Sequence, residues 1–243
     1  MKKLNIKPIT YFDNIDTEYK AYILGIIYAD GCINDKVKGR RERRLTISLQ
    51  KEDGYVLNKL LEDTNKNKIK IYHPPSIAKH GWKERAVASI GNTYMCNSLI
   101  KLGCYPRKSL SGMKFPDINS SLIHHFIRGF FDGDGCITKN TTIYKGKRVI
   151  TENYKLKLAF TSVDNKFLDV LISYLPVTKV YKTSKKRNSI IHTYWIERVK
   201  DVESVYKYLY KDASIYFKRK YDKFNMPIKS QVIGTPMKGL ETT

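Results

Sequence analysis

Two aspartates, Asp30 and Asp134, close two copies of one twelve-residue segment and are the side chains best placed to do chemistry. Tyr22–Ile33 reads YILGIIYADGCI and Phe126–Ile137 reads FIRGFFDGDGCI, with Ile23/Ile127, Gly25/Gly129, Asp30/Asp134, Gly31/Gly135, Cys32/Cys136 and Ile33/Ile137 identical. Each copy is an apolar run with an inner glycine, closed by Asp-Gly. A carboxylate at the end of a buried helix, repeated 104 residues later, predicts two similar half-proteins that each bring one acid to a shared place. That is the pattern of a two-fold enzyme built from one chain.

The elements that must carry these acids are repeated as well. Leu45–Leu60 and Leu156–Leu171 align through Asp53/Asp164, Leu57/Leu168 and Leu60/Leu171; Lys70-Ile71-Tyr72 matches Lys179-Val180-Tyr181, and Arg107-Lys108 matches Arg219-Lys220. Each unit reads helix, hairpin, helix, hairpin, helix, an α+β fold of two pseudo-symmetric αββαββα halves. Asp16 is the expected N-cap of the first helix and Ser120 or Ser121 of its counterpart. Gly31 and Gly135 are expected to end these helices in the left-handed conformation. Leu45, Ile47 and Leu49 alternate with Thr46, Ser48 and Gln50, and Leu156, Leu158 and Phe160 with Lys157, Ala159 and Thr161. Strict alternation predicts antiparallel strands with one dry and one wet face. The expected organisation is a first half over residues 1–108 with an arm over 1–15, a linker over 109–119, a second half over 120–224, and a loosely ordered tail over 225–243.

Composition points to a polyanionic partner. Lys and Arg number 45 against 23 Asp and Glu, a formal charge of +22. Such an excess favours nucleic acid first and an anionic membrane surface second. The membrane reading needs an amphipathic helix with a cationic face, whereas the lysines here map to strands. No apolar run reaches the roughly 18 residues that a membrane-spanning helix requires, and the N-terminus lacks the apolar stretch of a signal peptide; a cytoplasmic protein is expected. Asn65–Lys83, Gly135–Thr151 and Lys179–Ile196 contain no acid, so the hairpins should form a sheet that is basic on its wet face. Cys32, Cys96, Cys104 and Cys136 show no metal-ligand spacing, and Cys32 and Cys136 are expected to be small buried residues. His124 and His125 face different directions on a helix and should not share a metal. Trp82 and Trp195 read as packing or hairpin residues rather than stacking platforms.

The two segments resemble the LAGLIDADG motif of homing endonucleases in its double-motif, single-chain form, over residues 23–31 and 127–135. Nearly the whole chain follows that family's order of elements. The departures are Tyr28, where the motif's first acid often stands, and Arg128 at a usually small position. The resemblance implies two motif helices packed side by side, with Gly25 and Gly129 at their interface. It implies that Asp30 and Asp134, with Gly31 and Gly135, hold divalent metal, Mg²⁺ with Mn²⁺ as a substitute. A lysine near each site is matched by Lys108 and Lys220, with Lys218 an alternative to Lys220; Gln50, aligned with Thr161, would position water or metal. Base-edge and phosphate contacts would come from Thr46, Ser48, Gln50, Lys70 and Tyr72 in the first half and Lys139, Lys157, Thr161, Lys179 and Tyr181 in the second. Hairpin loops at Lys36–Arg44 and Lys182–Arg187 would reach the flanks. The implied activity is hydrolysis of both strands of an asymmetric duplex of about twenty base pairs, two turns at roughly ten each, leaving short 3′ overhangs, by a monomer. The alternative on the same fold is a cleavage-inactive or bifunctional RNA maturase with intron RNA as partner, or a DNA-binding regulator. Retention of both acids favours the nuclease.

Overall fold

The structure is a computed structural model and describes residues 9–34, 42–65, 69–73, 83–145, 150–186, 190–224 and 230–234. In the first half, α1 (Glu18–Asp30) runs into β1 (Gly31–Asn34) and β2 (Arg44–Gln50). A 3₁₀ turn (Lys51–Leu57) and α2 (Asn58–Asp63) lead to β3 (Lys70–Tyr72), β4 (Arg85–Gly91), α3 (Thr93–Lys101) and α4 (Lys108–Ser111). The second half repeats the plan with α5 (Ile123–Asp134), β5 (Cys136–Lys145), β6 (Ile150–Ser162) and α6 (Asn165–Ser173). Then follow β7 (Tyr181–Lys186), β8 (Ile190–Ile196), α7 (Val199–Tyr210), α8 (Lys218–Phe224) and β9 (Ser230–Gly234). Both sheets are antiparallel and share one topology, β1-β2-β4-β3 and β5-β6-β8-β7, with β9 added on β6. The fold is thus two pseudo-symmetric αββαββα units, each a sheet backed by helices.

α1 is apolar nearly all round because it is buried nearly all round, and α5 is as enclosed although it carries His125, Arg128 and Asp132. Ala21 to Tyr28 of α1 are enclosed, as are His125 to Asp132 of α5, and the two helices cross in close contact. A Cβ at Gly25 would overlap the Phe126 carbonyl, and one at Gly129 the Tyr22 carbonyl, so only glycine permits this approach. Leu45, Ile47 and Leu49 of β2 and Leu156, Leu158 and Phe160 of β6 close the core beneath the helices. Burial of these side chains, about 1.5–3 kcal/mol each, joins both halves into one apolar core.

Several local expectations are corrected. Thr17, not Asp16, caps α1, accepting from the Lys20 amide at 3.2 Å, while Asp16 pairs with the Lys20 ammonium at 3.0 Å. Asn119 caps the 3₁₀ turn Ser120–Leu122 that precedes α5, displacing Ser120 and Ser121 from that role. Gly31 and Gly135 stop their helices in extended conformation (φ −78°, ψ 147° and φ −76°, ψ 161°), not left-handed. Their glycine is demanded by space, since a Cβ would collide with the Ile27 and Phe131 carbonyls. Ala159, expected on the wet face, is buried because its methyl lies in register between Cys136 and Trp195. Lys182–Lys186, expected in a loop, belong to β7 and pair with β8. Ser230–Gly234, expected in the loose tail, pair with β6; residues 225–229 and 235–243 lie outside the described residues. Ser109 to Ser111 of the expected linker continue α4. Cys32 and Cys136 are exposed, each placed by alternation on the wet face before a buried isoleucine, whereas Cys96 and Cys104 are buried.

Candidate active site

The crossing of α1 and α5 brings the C-terminal ends of both helices together, and with them Asp30 and Asp134. The second helix approaches so closely that a Cβ at Gly133 would come 3.0 Å from an Asp30 carboxylate oxygen. Burial raises the Asp134 carboxyl to about 6, and the Asp30 charge adds to the rise. Burial raises Asp30 too, against the pull of Arg85, Lys108, Lys220 and Arg219. Each helix terminus also carries negative partial charge, which disfavours a second anion there. Among the described residues neither carboxylate has a hydrogen-bond or ion-pair partner. The result is a pair of acids, exposed at Asp134, answered by the field of nearby lysines and arginines but by no direct bond.

Two lysines stand at equivalent places beside them. The Lys108 ammonium donates to the Gly31 carbonyl at 2.5 Å, and Lys220 to the Gly135 carbonyl at 2.6 Å and the Phe131 carbonyl at 2.7 Å. Each cation therefore sits on the peptide that follows the motif aspartate of its own half. Lys218 points elsewhere, exposed and paired with Asp222 at 2.6 Å, so Lys220 is the residue the fold brings to the acids. Burial pushes the Lys220 ammonium down to about 8, opposed by Asp132, Asp30 and Asp134. The Gly31 and Gly135 carbonyls each accept from a lysine, and a carbonyl oxygen carries two lone pairs.

The remaining expected contacts spread over both sheets. Thr46, Ser48 and Gln50 face outward on β2, but Ser48 accepts from Arg85 at 2.7 Å and Gln50 from Lys83 at 3.2 Å. Lys157 pairs with Glu197 at 2.9 Å, Thr161 stands in register with Thr193, and Lys139 is exposed. Lys70 and Tyr72 are exposed on β3, and the Lys179 ammonium lies 4.7 Å over the Tyr181 ring. These side chains are not gathered with the acids; they form an outward array on the strands. Most of the expected Lys36–Arg44 loop, and Trp82, lie outside the described residues. Trp195 donates to Thr183 at 3.3 Å, within the β7–β8 hairpin.

Sequence reasoning missed Arg85, Arg219 and Asp132. Arg85 reaches Asp30 only because β4 pairs with β2 in a register that sets Arg85 opposite Gln50. Arg219 joins Asp53 at 2.7 Å, across the two halves. The visible signal for Asp132 was its acid type inside an apolar motif. A groove of about 660 Å³ lined by Asp53, Tyr55, Ser214, Lys218 and Arg219 opens beside this junction, and neither Asp30 nor Asp134 lines it.

Two places could be weighed as metal centres. Asp30, Asp134 and the glycine carbonyls are hard oxygen donors, the set that suits Mg²⁺, Mn²⁺ or Ca²⁺, and a cation there would relieve the Asp30 repulsion that adds to the burial-driven rise of Asp134. His124, His125 and Asp212 form a second group with donor atoms within 4.8 Å of one another. The two imidazoles contact at 3.8 Å between centroids, so the different directions expected of them are not what keeps them from sharing a metal. Side chains that leave the helix about 100° apart turn back toward each other at its start. Yet His125 accepts the Arg128 guanidinium at 2.8 Å on Nδ1, and burial pushes it down to about 4. A ligating imidazole wants an acceptor behind its other nitrogen, and here a cation holds a donor against it. The oxygen site fits a metal; the histidine group does not.

Comparison with known proteins agrees with this geometry. The sequence pattern described as LAGLIDADG endonuclease matches residues 127–226. No curated protein matches the chain by sequence. Among solved structures, I-SmaMI bound to an uncleaved DNA target with calcium ions superposes with a TM-score of 0.58 at 13% identity, covering 86% of this chain and 90% of that one. I-AabMI bound to uncleaved DNA gives 0.56 at 13% identity, covering 86% and 92%. I-LtrWI bound to its target DNA gives 0.55 at 14% identity, covering 86% and 87%.

Proposed function

We propose that the chain is a LAGLIDADG endonuclease, a site-specific, divalent-metal-dependent enzyme that hydrolyses both strands of an asymmetric DNA duplex; the family match over residues 127–226 and the repeat of the same motif at residues 23–31 support this reading. The observation that carries this reading is the pairing of Asp30 and Asp134, without a direct bond and raised, at the ends of two crossed helices, each with a lysine on the carbonyl of the glycine that follows it. Asp30 and Asp134, with the carbonyls of Gly31 and Gly135, would hold Mg²⁺ or Mn²⁺. A metal in that place supplies an acidified water and charge stabilisation at phosphorus. The chain's own residues do the rest. Lys108 and Lys220 place positive charge beside the acids, where a scissile phosphate and its departing oxygen gather negative charge. Arg85 and Arg219 add to that field. The outward strands, bearing Thr46, Ser48, Gln50, Lys70 and Tyr72 on one sheet and Lys139, Lys157, Thr161, Lys179 and Tyr181 on the other, lie along the duplex, some on phosphate and some on base edges.

Because the two halves differ at most of these positions, the target is an asymmetric sequence of about twenty base pairs, and the products carry short 3′ overhangs. The internal repeat supplies the two-fold that a dimer would otherwise provide, so the working form is a monomer of 28.3 kDa, in the cytoplasm or an equivalent host compartment. Incubation with a randomised duplex library and Mg²⁺, followed by sequencing of the new ends, tests the reading. One recurring asymmetric site with a constant stagger is expected. Retention of a specific duplex without cleavage under Mg²⁺ or Mn²⁺ would replace the nuclease with a binding protein, and retention of structured RNA alone with an RNA-directed role.

A further inference from the structure

Positions 28 and 132 are equivalent in the repeat, two residues before each motif aspartate, yet one is a phenol and the other a carboxylate. Tyr28 is buried and shares its hydroxyl proton between the carbonyls of Leu102 at 2.6 Å and Lys114 at 3.0 Å. Those two carbonyls bracket the segment that carries Lys108. Asp132 is fully enclosed and accepts from the Phe217 amide at 2.7 Å, the Tyr22 hydroxyl at 2.9 Å and the Tyr210 hydroxyl at 3.0 Å. The Phe217 carbonyl in turn receives the Lys220 amide at 2.9 Å, at the start of α8. In each half, then, the side chain at this position ties the motif helix to the backbone that presents the lysine. A donor is used where the segment offers carbonyls, and an acceptor where it offers an amide.

We propose that Tyr28 and Asp132 are positioning residues, each setting the lysine of its own half, Lys108 or Lys220, on the glycine carbonyl beside its motif aspartate, so that each controls cleavage of one strand. Neither side chain touches substrate: both are buried with their polar atoms already bonded. The inference rests on the nuclease reading for its strand assignment, but the placement of the lysines can be read without it. A displacement of about 1 Å at a reacting group costs on the order of a hundredfold in rate, so loosening either tie should be visible.

The test is single-turnover cleavage of a duplex labelled differently on each strand, with Tyr28→Phe, Asp132→Asn and the reference variants Lys108→Met and Lys220→Met. Tyr28→Phe is expected to slow, by about tenfold or more, the same strand that Lys108→Met slows, and Asp132→Asn the strand that Lys220→Met slows, with the other strand changed less than about twofold. Asp132→Asn added to Lys220→Met should cost nothing further. Equal slowing of both strands, or a full multiplicative loss in the double variant, would overturn the proposal and leave these residues merely structural. Should Asp132→Asn fail to fold, Tyr210→Phe, which removes one of the bonds that hold Asp132, takes its place with the same expected strand bias. If the unaltered protein cuts no DNA, the nuclease reading is what has failed, and competitive acetylation read by mass spectrometry decides the inference alone. Lys220 should then label at least about threefold faster in Asp132→Asn with Lys108 unchanged, and the reverse in Tyr28→Phe; unchanged labelling in both would overturn it.

Discussion

The two halves place the same atoms by different chemistry. In the first, α1 is apolar where it packs, with Leu24 buried and Tyr28 making neutral bonds to carbonyls. In the second, the equivalent positions are Arg128 and Asp132, both fully buried. Arg128 donates to Glu18 at 2.6 Å, to the Leu209 carbonyl at 2.8 Å and to the Ile215 carbonyl at 3.0 Å. Its charge is answered by a residue of the first half, and Glu18 also takes the Ser214 amide at 2.8 Å. Tyr22 and Asp53 reach across in the same direction, to Asp132 and Arg219. Asp164, the counterpart of Asp53, reaches back to the Met113 amide at 2.9 Å. The second half is thus held by charges whose partners lie in the first.

The largest effect expected is at the acids, where the halves should be alike. Asp30→Asn and Asp134→Asn keep side-chain shape and remove the charge a metal needs, and each should lower double-strand cleavage by about a thousandfold or more while specific DNA binding survives. Nicking by one variant alone would mean that the halves act separately, and full double-strand cleavage by either would remove the acids from the mechanism.

Next in size is a substitution that copies one half onto the other. Arg128→Leu gives the second helix the residue of the first but leaves Glu18 with its Ser214 bonds alone and two carbonyls without their donor, and should cost about 2–3 kcal/mol by urea denaturation, at or below the usual range for breaking a buried pair because Glu18 is partly exposed. Glu18→Gln in that background should recover part of the loss. A neutral Arg128→Leu would show that the contrast between the halves carries no energetic weight.

The raised acids make stability without metal depend on pH in a defined direction. A carboxyl whose folded value lies above its unfolded value binds protons preferentially in the fold, so its stabilising contribution is present at low pH and is lost as pH rises through the folded value. For Asp134 that window runs from its ordinary 3.8 to about 6. Thermal midpoints measured in EDTA should therefore show an Asp134-dependent decline across it, and Asp134→Asn should flatten that decline and raise the midpoint at pH 7. Added Mg²⁺ should raise the midpoint of the unaltered protein more than that of the variant. An identical pH profile in the two proteins would contradict the raised value.

The smallest expected effects compare the sheets. DNA affinity should fall with salt at a log-log slope of several units, about −0.9 for each phosphate contact. Lys70→Ala on β3 and Lys185→Ala on β7, exposed in corresponding edge strands, should each reduce the slope by about one. A change for one and none for the other would mean that the duplex lies unevenly on the two halves.

Much of this molecule was legible in one dimension. The repeat announced two halves, Asp-Gly marked the ends of both motif helices, and alternation placed Leu45, Ile47 and Leu49 in the core with Thr46, Ser48 and Gln50 outside. Those signals are readable because periodicity and duplication are properties of neighbours and of copies, and each states its own pattern without reference to the rest of the chain. What only the tertiary structure decided concerns partners. Lys220 and Lys218 look alike in sequence, and the choice falls to Lys220 because its ammonium meets the Gly135 carbonyl, 85 residues away. Asp132 resembles a second catalytic acid until the Phe217 amide and two tyrosine hydroxyls are seen to enclose it. Arg128 stands at odds with its apolar helix until Glu18, 110 residues distant, supplies the counter-charge. The need for glycine at positions 31 and 135 was visible, but its cause was not: their backbone is extended, and the space a Cβ would need is taken by a carbonyl four residues earlier. A polar or charged group in the interior has no meaning apart from what satisfies it, because its desolvation is repaid only by a partner at hydrogen-bonding distance, and folding alone brings that partner there.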